Sequence, residues 1–208
     1  MSSRRAYRSD LREERARETR RRLRRSARDL FVERGVPGTT IAAIAERAGV
    51  SSQTVYATYG SKSAIIVALI DEMEEGAGNE GWTARLLTEA DPYRRLRLFV
   101  GLNRTLFEAS TDVLRVAMEA RSDPDVRAFI ARGDERRRTG TRKLCEGFDV
   151  QGVLGRDLSV EGAAERLWLL TSAEQYLLAV DALGWTSDAY EDRLGDLLER
   201  ELLVPQSG

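Results

Sequence analysis

The stretch 19-TRRRLRRSARDLFVERGVPGTTIAAIAERAGVSSQTVYATYGSK-62 decides how this chain is read. Thr39 or Thr40 caps a helix whose Ile41, Ile44, Ala45 and Ala48 fall at i, i+3, i+4 and i+7, one apolar stripe facing inward. The stripe stops at Gly49, which takes a positive φ at a helix end without the steric cost other residues meet. Ser51 beyond Val50 then caps a second helix running to about Thr58. Two helices joined this tightly form a helix-turn-helix. On a helical wheel Val55 and Tyr59 face the core, while Ser52, Gln53, Tyr56 and Ala57 share the other side. That side carries an amide able to bond adenine in a bidentate way, a hydroxyl, a phenol and a methyl, groups suited to major-groove edges or phosphates. Thr40, Ser51, Thr54 and Thr58 hold hydroxyls beside this face, and Lys62 supplies a charge that neutralises one phosphate.

Charge divides the chain at the same place. Residues 1 to 62 hold 15 Lys and Arg against 7 Asp and Glu, a balance of +8, so the remainder carries -9 to reach the net -1. A positive end facing a polyanion favours association in one orientation and makes affinity salt-dependent. The run from Arg12 to Arg28 also reads as a solvated helix with i, i+4 pairs such as Glu13 with Arg17 and Glu18 with Arg22. Arg4, Arg5 and Arg8 fall on a leader expected to be disordered, an arm able to enter a neighbouring minor groove.

Residues 19 to about 70 resemble the N-terminal domain of the TetR family of bacterial transcription regulators. The resemblance is carried by Leu23, Ala27, Leu30, Phe31, Gly35, Thr39, Thr40, Ile44, Ala45, Ala48, Gly49, Val50, Ser51, Tyr56, Tyr59 and Lys62, at the family's usual spacing. The sequence departs from the pattern at Tyr59, where phenylalanine is commoner, and at Ser63-Ala64, where an acidic residue is frequent. It departs also at Ala57, where a bulky or polar residue often reads bases and a methyl offers only apolar contact. The resemblance implies a ligand-responsive repressor that binds a palindromic DNA operator as a homodimer and leaves it when a small-molecule effector shifts the two reading heads. An activator or global regulator of the same fold is the alternative, and a helical adaptor whose helix-turn-helix serves protein contacts is another, from a different class.

With 208 residues there is room for a second core after a helix-turn-helix domain at 1–75. Glycines at 76, 78 and 81 mark a flexible connection, and residues 76–208 are expected to form an all-α ligand-binding and dimerisation domain. Asp91-Pro92 and Asp123-Pro124 are cap-and-proline starts, Thr111 opens a short helix, and 149–159 is a loop. Ser159 opens a helix closed by Gly184, and Thr186 or Ser187 begins a last one to about Leu203. Apolar stripes on these two helices include Leu167, Leu170, Leu177, Tyr190, Leu194, Leu197 and Leu198, and the resemblance implies that they pair across a two-fold axis. Candidate effector contacts are Phe99, Asn103, Phe107, Met118, Trp168, Thr171, Gln175 and Tyr176, with Glu119 and Glu174 as carboxylates for a cationic ligand.

Catalysis finds little support. There is no histidine to act as a base near neutral pH, no Gly-rich phosphate loop and no His/Cys set for a transition metal, so neither a cofactor nor an enzyme is expected. Cys145 stands alone and reads as a small buried hydrophobe. With no signal peptide and no apolar stretch near 20 residues, a cytoplasmic protein without a membrane partner is expected.

Overall fold

The computed structural model describes the backbone of residues 2–77 and 80–205, and the side chains of residues 12–76 and 84–205. These residues form an all-α protein: α1 (Ser2–Gly38), α2 (Ile41–Ala48), α3 (Ser52–Tyr59), α4 (Lys62–Ala77), α5 (Glu80–Thr88), α6 (Pro92–Ala109), α7 (Thr111–Ala120), α8 (Pro124–Val150), α9 (Val160–Leu170), α10 (Ala173–Leu177) and α11 (Ser187–Leu202). They divide into two compact units. One comprises Met1–Asp71 with Arg115–Arg127, the other Glu72–Leu114 with Ala128–Gly208.

The first unit is built on α1. Leu23, Ala27, Leu30 and Phe31 recur at helical spacing and are buried, as are Ile44, Ala45 and Ala48 of α2, Val55 of α3 and Ile65, Ile66, Leu69 and Ile70 of α4. Upstream of Leu23 no side chain from Arg12 to Arg22 is buried, yet the backbone is helical from Ser2. The leader expected to be disordered is thus continuous with α1. Residues 11 to 25 are rich in Arg, Glu, Ala and Leu, all strong helix formers, so the helix propagates outward without a core. The side chains of Arg4, Arg5 and Arg8 lie outside the described residues.

The second unit has its own core, in which Leu96, Val100 and Phe107 of α6, Cys145 and Phe148 of α8, Leu167 of α9, Tyr176 of α10 and Tyr190, Leu194 and Leu198 of α11 are buried. At α6 and α11, Arg97 pairs with Asp196 and Glu199 at 2.5 Å each. The Glu191 carboxylate of α11 reaches over Gly101 of α6, where an added Cβ would stand 2.9 Å from its oxygen.

Two expectations change here. The segment read as a flexible connection holds the end of α4 and the whole of α5. The single helix expected from Ser159 to Gly184 is broken. Thr171 Oγ1 donates back to the Leu167 carbonyl at 2.6 Å, and Ser172 becomes a second N-cap, accepting from Gln175 N–H at 3.3 Å. A π turn, Leu178–Ala182, then follows α10.

Candidate nucleic-acid interface

The α2–α3 turn leaves few backbone groups unbonded. Thr40 caps α2, its hydroxyl accepting from Ala43 N–H at 3.1 Å. Gly49 adopts φ 65° and ψ 40°, and the N–H groups of Gly49 and Val50 return to the Glu46 and Ala45 carbonyls at 3.0 Å each, a Schellman closure. Arg22 of α1 donates to the Ala48 carbonyl, placing a cation at the negative end of α2. Ser51 caps α3 through Thr54 N–H at 3.1 Å. Arg47 grips Glu33 through two bonds of 2.6 and 2.7 Å, and this contact holds the Glu33 carboxyl below its usual range.

This scaffold sets the outward face of α3. Ser51, Ser52, Gln53, Tyr56 and Ala57 are exposed, Tyr56 at 55%, while Val55 is buried at 1%. The face read from the wheel is therefore free to meet a partner. Thr54 and Thr58 are half-buried, and the Thr58 hydroxyl donates to the Thr54 carbonyl at 2.7 Å. Its proton is turned along its own helix instead of outward. Tyr59, half-buried, donates to the Arg20 carbonyl at 3.3 Å and accepts from Arg24 at 3.4 Å. The hydroxyl by which it departs from phenylalanine ties α3 to α1.

Lys62 is placed differently from the phosphate contact expected of it. Its Nζ donates to the Val36 carbonyl at 2.6 Å and to the Thr39 carbonyl at 3.0 Å. Gly35 breaks α1 with φ 70° and ψ 169°, and such a break strands backbone groups that need partners. Thr39 Oγ1 serves the Leu30 and Gly35 carbonyls at 3.1 and 2.8 Å, Lys62 serves Val36, and Glu119 accepts the Val36 N–H at 2.9 Å. Glu119, considered as a ligand carboxylate, is thus a brace for the kink. Ser63 donates to Asp123 at 2.6 Å, a second bond holding the 115–127 segment to the rest of the first unit, and it holds that carboxyl below its usual range. Neither Glu119 nor Asp123 was legible as part of the head, because nothing local pairs residues so distant in sequence.

The candidate effector and dimer residues scatter. Phe99, Asn103, Phe107, Thr171 and Tyr176 are buried, and Trp168 and Gln175 half-buried, in the second unit, whereas Met118 lies on the segment belonging to the first. Asn103 bonds its own helix at the Phe99 carbonyl, 2.7 Å away. Of the expected dimer face, Leu167, Tyr190, Leu194 and Leu198 are core residues of one chain, with exposures of 0%, 3%, 7% and 0%. Leu170, Leu177 and Leu197 pack beside them, partly buried. A stripe on each of two consecutive helices is satisfied within one chain when the helices pack together. The apolar side chains left exposed nearby are Leu169, Leu178 and Leu183.

Comparison with known proteins agrees with this geometry. Residues 23–69 match the family of bacterial regulatory proteins, tetR family. Over 101 residues the chain is 35% identical to the HTH-type transcriptional regulator TtgR of Pseudomonas putida, covering 47% of this chain and 48% of that protein. The chain thus spans about half the length of the curated relatives it matches. Two solved structures share the fold. A transcriptional regulator from Saccharomonospora viridis in complex with choline superposes with a TM-score of 0.74 at 24% identity, over 90% of this chain and 99% of that one. FadR from Bacillus subtilis in complex with stearoyl-CoA gives 0.71 at 17%, over 86% and 97%. No helix of the described residues is long and apolar enough to cross a membrane.

Proposed function

Because residues 23–69 match the family of bacterial regulatory proteins, tetR family, we propose that this chain is a ligand-responsive transcriptional repressor that reads a palindromic operator as a homodimer in the cytoplasm. The observation that carries this reading is the face of α3: Ser52, Gln53, Tyr56 and Ala57 stand exposed on a short helix capped at both ends and tied to α1 through Tyr59. Such a helix presents base-reading groups at low entropic cost, because its backbone is already ordered. Gln53 supplies the bidentate amide for adenine, Ala57 an apolar contact for a thymine methyl, and Tyr56 a phenol for phosphate or base. Arg4, Arg5 and Arg8 add charge near DNA.

Two copies are required to read two half-sites one turn apart. Leu169, Leu178 and Leu183, which are 53%, 54% and 59% exposed in the single chain, are the side chains proposed to meet the second copy. The two ligand-bound neighbours, one with choline and one with stearoyl-CoA, support a small-molecule effector for this chain too. No catalytic step is part of this function. Selection of bound fragments from genomic DNA, followed by footprinting, tests the reading. A protected inverted repeat overlapping a promoter is expected, whereas binding without sequence preference points to the adaptor instead.

A further inference from the structure

Two carboxylates flanking the turn between α7 and α8 close a ring of bonds within the first unit. Glu119, in the last turn of α7, accepts the Val36 N–H at 2.9 Å. Asp123, just before α8, divides its oxygens. Oδ1 accepts from the N–H groups of Asp125 and Val126 at 3.0 and 3.3 Å and starts α8, while Oδ2 accepts from the Ser63 hydroxyl at 2.6 Å. Lys62, beside Ser63 in α4, donates to the Val36 carbonyl at 2.6 Å and completes the circuit. The two backbone polar groups of Val36 are thus held from opposite sides of the ring, N–H by Glu119 and C=O by Lys62.

What the ring grips is the 35–39 loop. Gly35 makes room for the carboxylate: its φ is 70°, and an added Cβ would stand 3.0 Å from a Glu119 oxygen. The loop leads into Thr39, whose carbonyl also takes Lys62 at 3.0 Å, and into Thr40, the cap of α2. Gly49 closes α2 and Ser51 opens α3 two residues later, so a shift of the loop carries the reading face with it. The turn itself is anchored, because Val116, Ala117, Ala120 and Val126 of the 115–127 segment are buried. Glu119, by contrast, is exposed. A solvated bond of this kind adds little to folding, and its consequence is orientation.

We propose that the α7–α8 turn is a clasp on the reading head, and that Glu119 and Asp123 are positioning residues for sequence recognition although both lie outside the matching 23–69 segment. With the clasp closed, the loop, α2 and α3 keep one orientation toward a groove. With it open, orientations multiply, and operator affinity falls with the fraction that still fits. This inference rests on the DNA-reading function proposed above.

Three variants of the full chain test the clasp. Glu119→Ala removes the acceptor, Glu119→Gln keeps one, and Ser63→Ala opens the other side of the ring without touching the bonds that start α8. Expected for Glu119→Ala are an unchanged melting temperature and operator binding weaker by about threefold per head, or about tenfold for two heads on one operator. Random DNA, held through phosphates in many orientations, should be bound nearly as before. Glu119→Gln should match wild type and Ser63→Ala should match Glu119→Ala. Combining Ser63→Ala with Glu119→Ala should lose less than the product of the single losses, since either break opens the ring. Hydrogen exchange at the Val36 amide should quicken in Ser63→Ala, where the Glu119 side chain is still in place. A merely structural role would lower the melting temperature and leave the ratio of operator to random affinity unchanged, and that result overturns the proposal. So does Glu119→Gln behaving like Glu119→Ala, or Val36 exchange unaltered in Ser63→Ala. A wild-type protein that selects no sequence overturns the reading and the clasp together, whereas a selecting wild type whose Glu119→Ala variant binds equally well overturns the clasp alone.

Discussion

The turn between α2 and α3 and the break between α9 and α10 meet the same need with the same residue and reach opposite ends. At both, an arginine from an earlier helix takes the carbonyls of a helix terminus: Arg22 donates to Ala48, and Arg137 to Trp168 and Thr171. Arg22 is exposed, so its charge remains hydrated and the turn closes on a left-handed glycine with its N–H groups bonded. Arg137 has only 22% of its side chain exposed, and the buried indole N–H of Trp168, whose ring it faces, stays unpartnered. The first arrangement stiffens the surface proposed above to read DNA. The second leaves a donor of the second unit without an acceptor.

The comparison breaks most visibly at α11. Leu198→Arg buries an unpaired guanidinium at a position with 0% exposure, a cost of several kcal/mol, and is expected to abolish cooperative folding of the second unit in circular dichroism melts. A folded, soluble monomer from this variant would instead place Leu198 at a subunit interface.

Next in size is Lys62→Ala, which strips a charged donor from the Val36 and Thr39 carbonyls and should destabilise the head by about 1–3 kcal/mol. Denaturant titration measures this loss. A phosphate-contact role predicts instead unchanged stability and a salt dependence of DNA binding shallower by about one unit. Tyr59→Phe removes the hydroxyl bond between α3 and Arg20 and should cost about 0.5–1.5 kcal/mol, read from the same titrations.

Smallest is the Glu33–Arg47 pair. Because Glu33 titrates below its usual range when folded, its contribution is present above the ordinary glutamate pKa and lost as pH falls through the lowered one. The carboxylate is fully solvated, so Glu33→Gln should leave the melting temperature at neutral pH unchanged within error and flatten only the acid limb of its pH profile.

The head was legible because its signals are local. Thr40, Gly49 and Ser51 sit at fixed offsets around one apolar stripe, and each does in the structure what its spacing implied. Lys62 escaped that reading because its partners are carbonyls freed by a kink at Gly35, and a kink's orphans cannot be counted before the backbone is seen. The α9–α10 break did have a local sign in 172-SAEQ-175, a serine three residues before a glutamine, the pattern of a helix start. It was masked by the continuous apolar stripe running from Leu167 to Val180. The leucines of α11 were misplaced for a third reason. Periodicity reveals an apolar face, but whether the same chain or a second copy covers it depends on tertiary packing that the pattern does not encode.

The central claim is that the exposed face of α3 reads base sequence, and Gln53→Ala tests it most directly. Mobility-shift titrations against a selected operator and a random duplex at matched salt should show a loss of about 1–3 kcal/mol on the operator, roughly 5- to 150-fold, with affinity for random DNA unchanged. Equal losses on both duplexes, or none on either, would contradict the assignment of this face to sequence recognition.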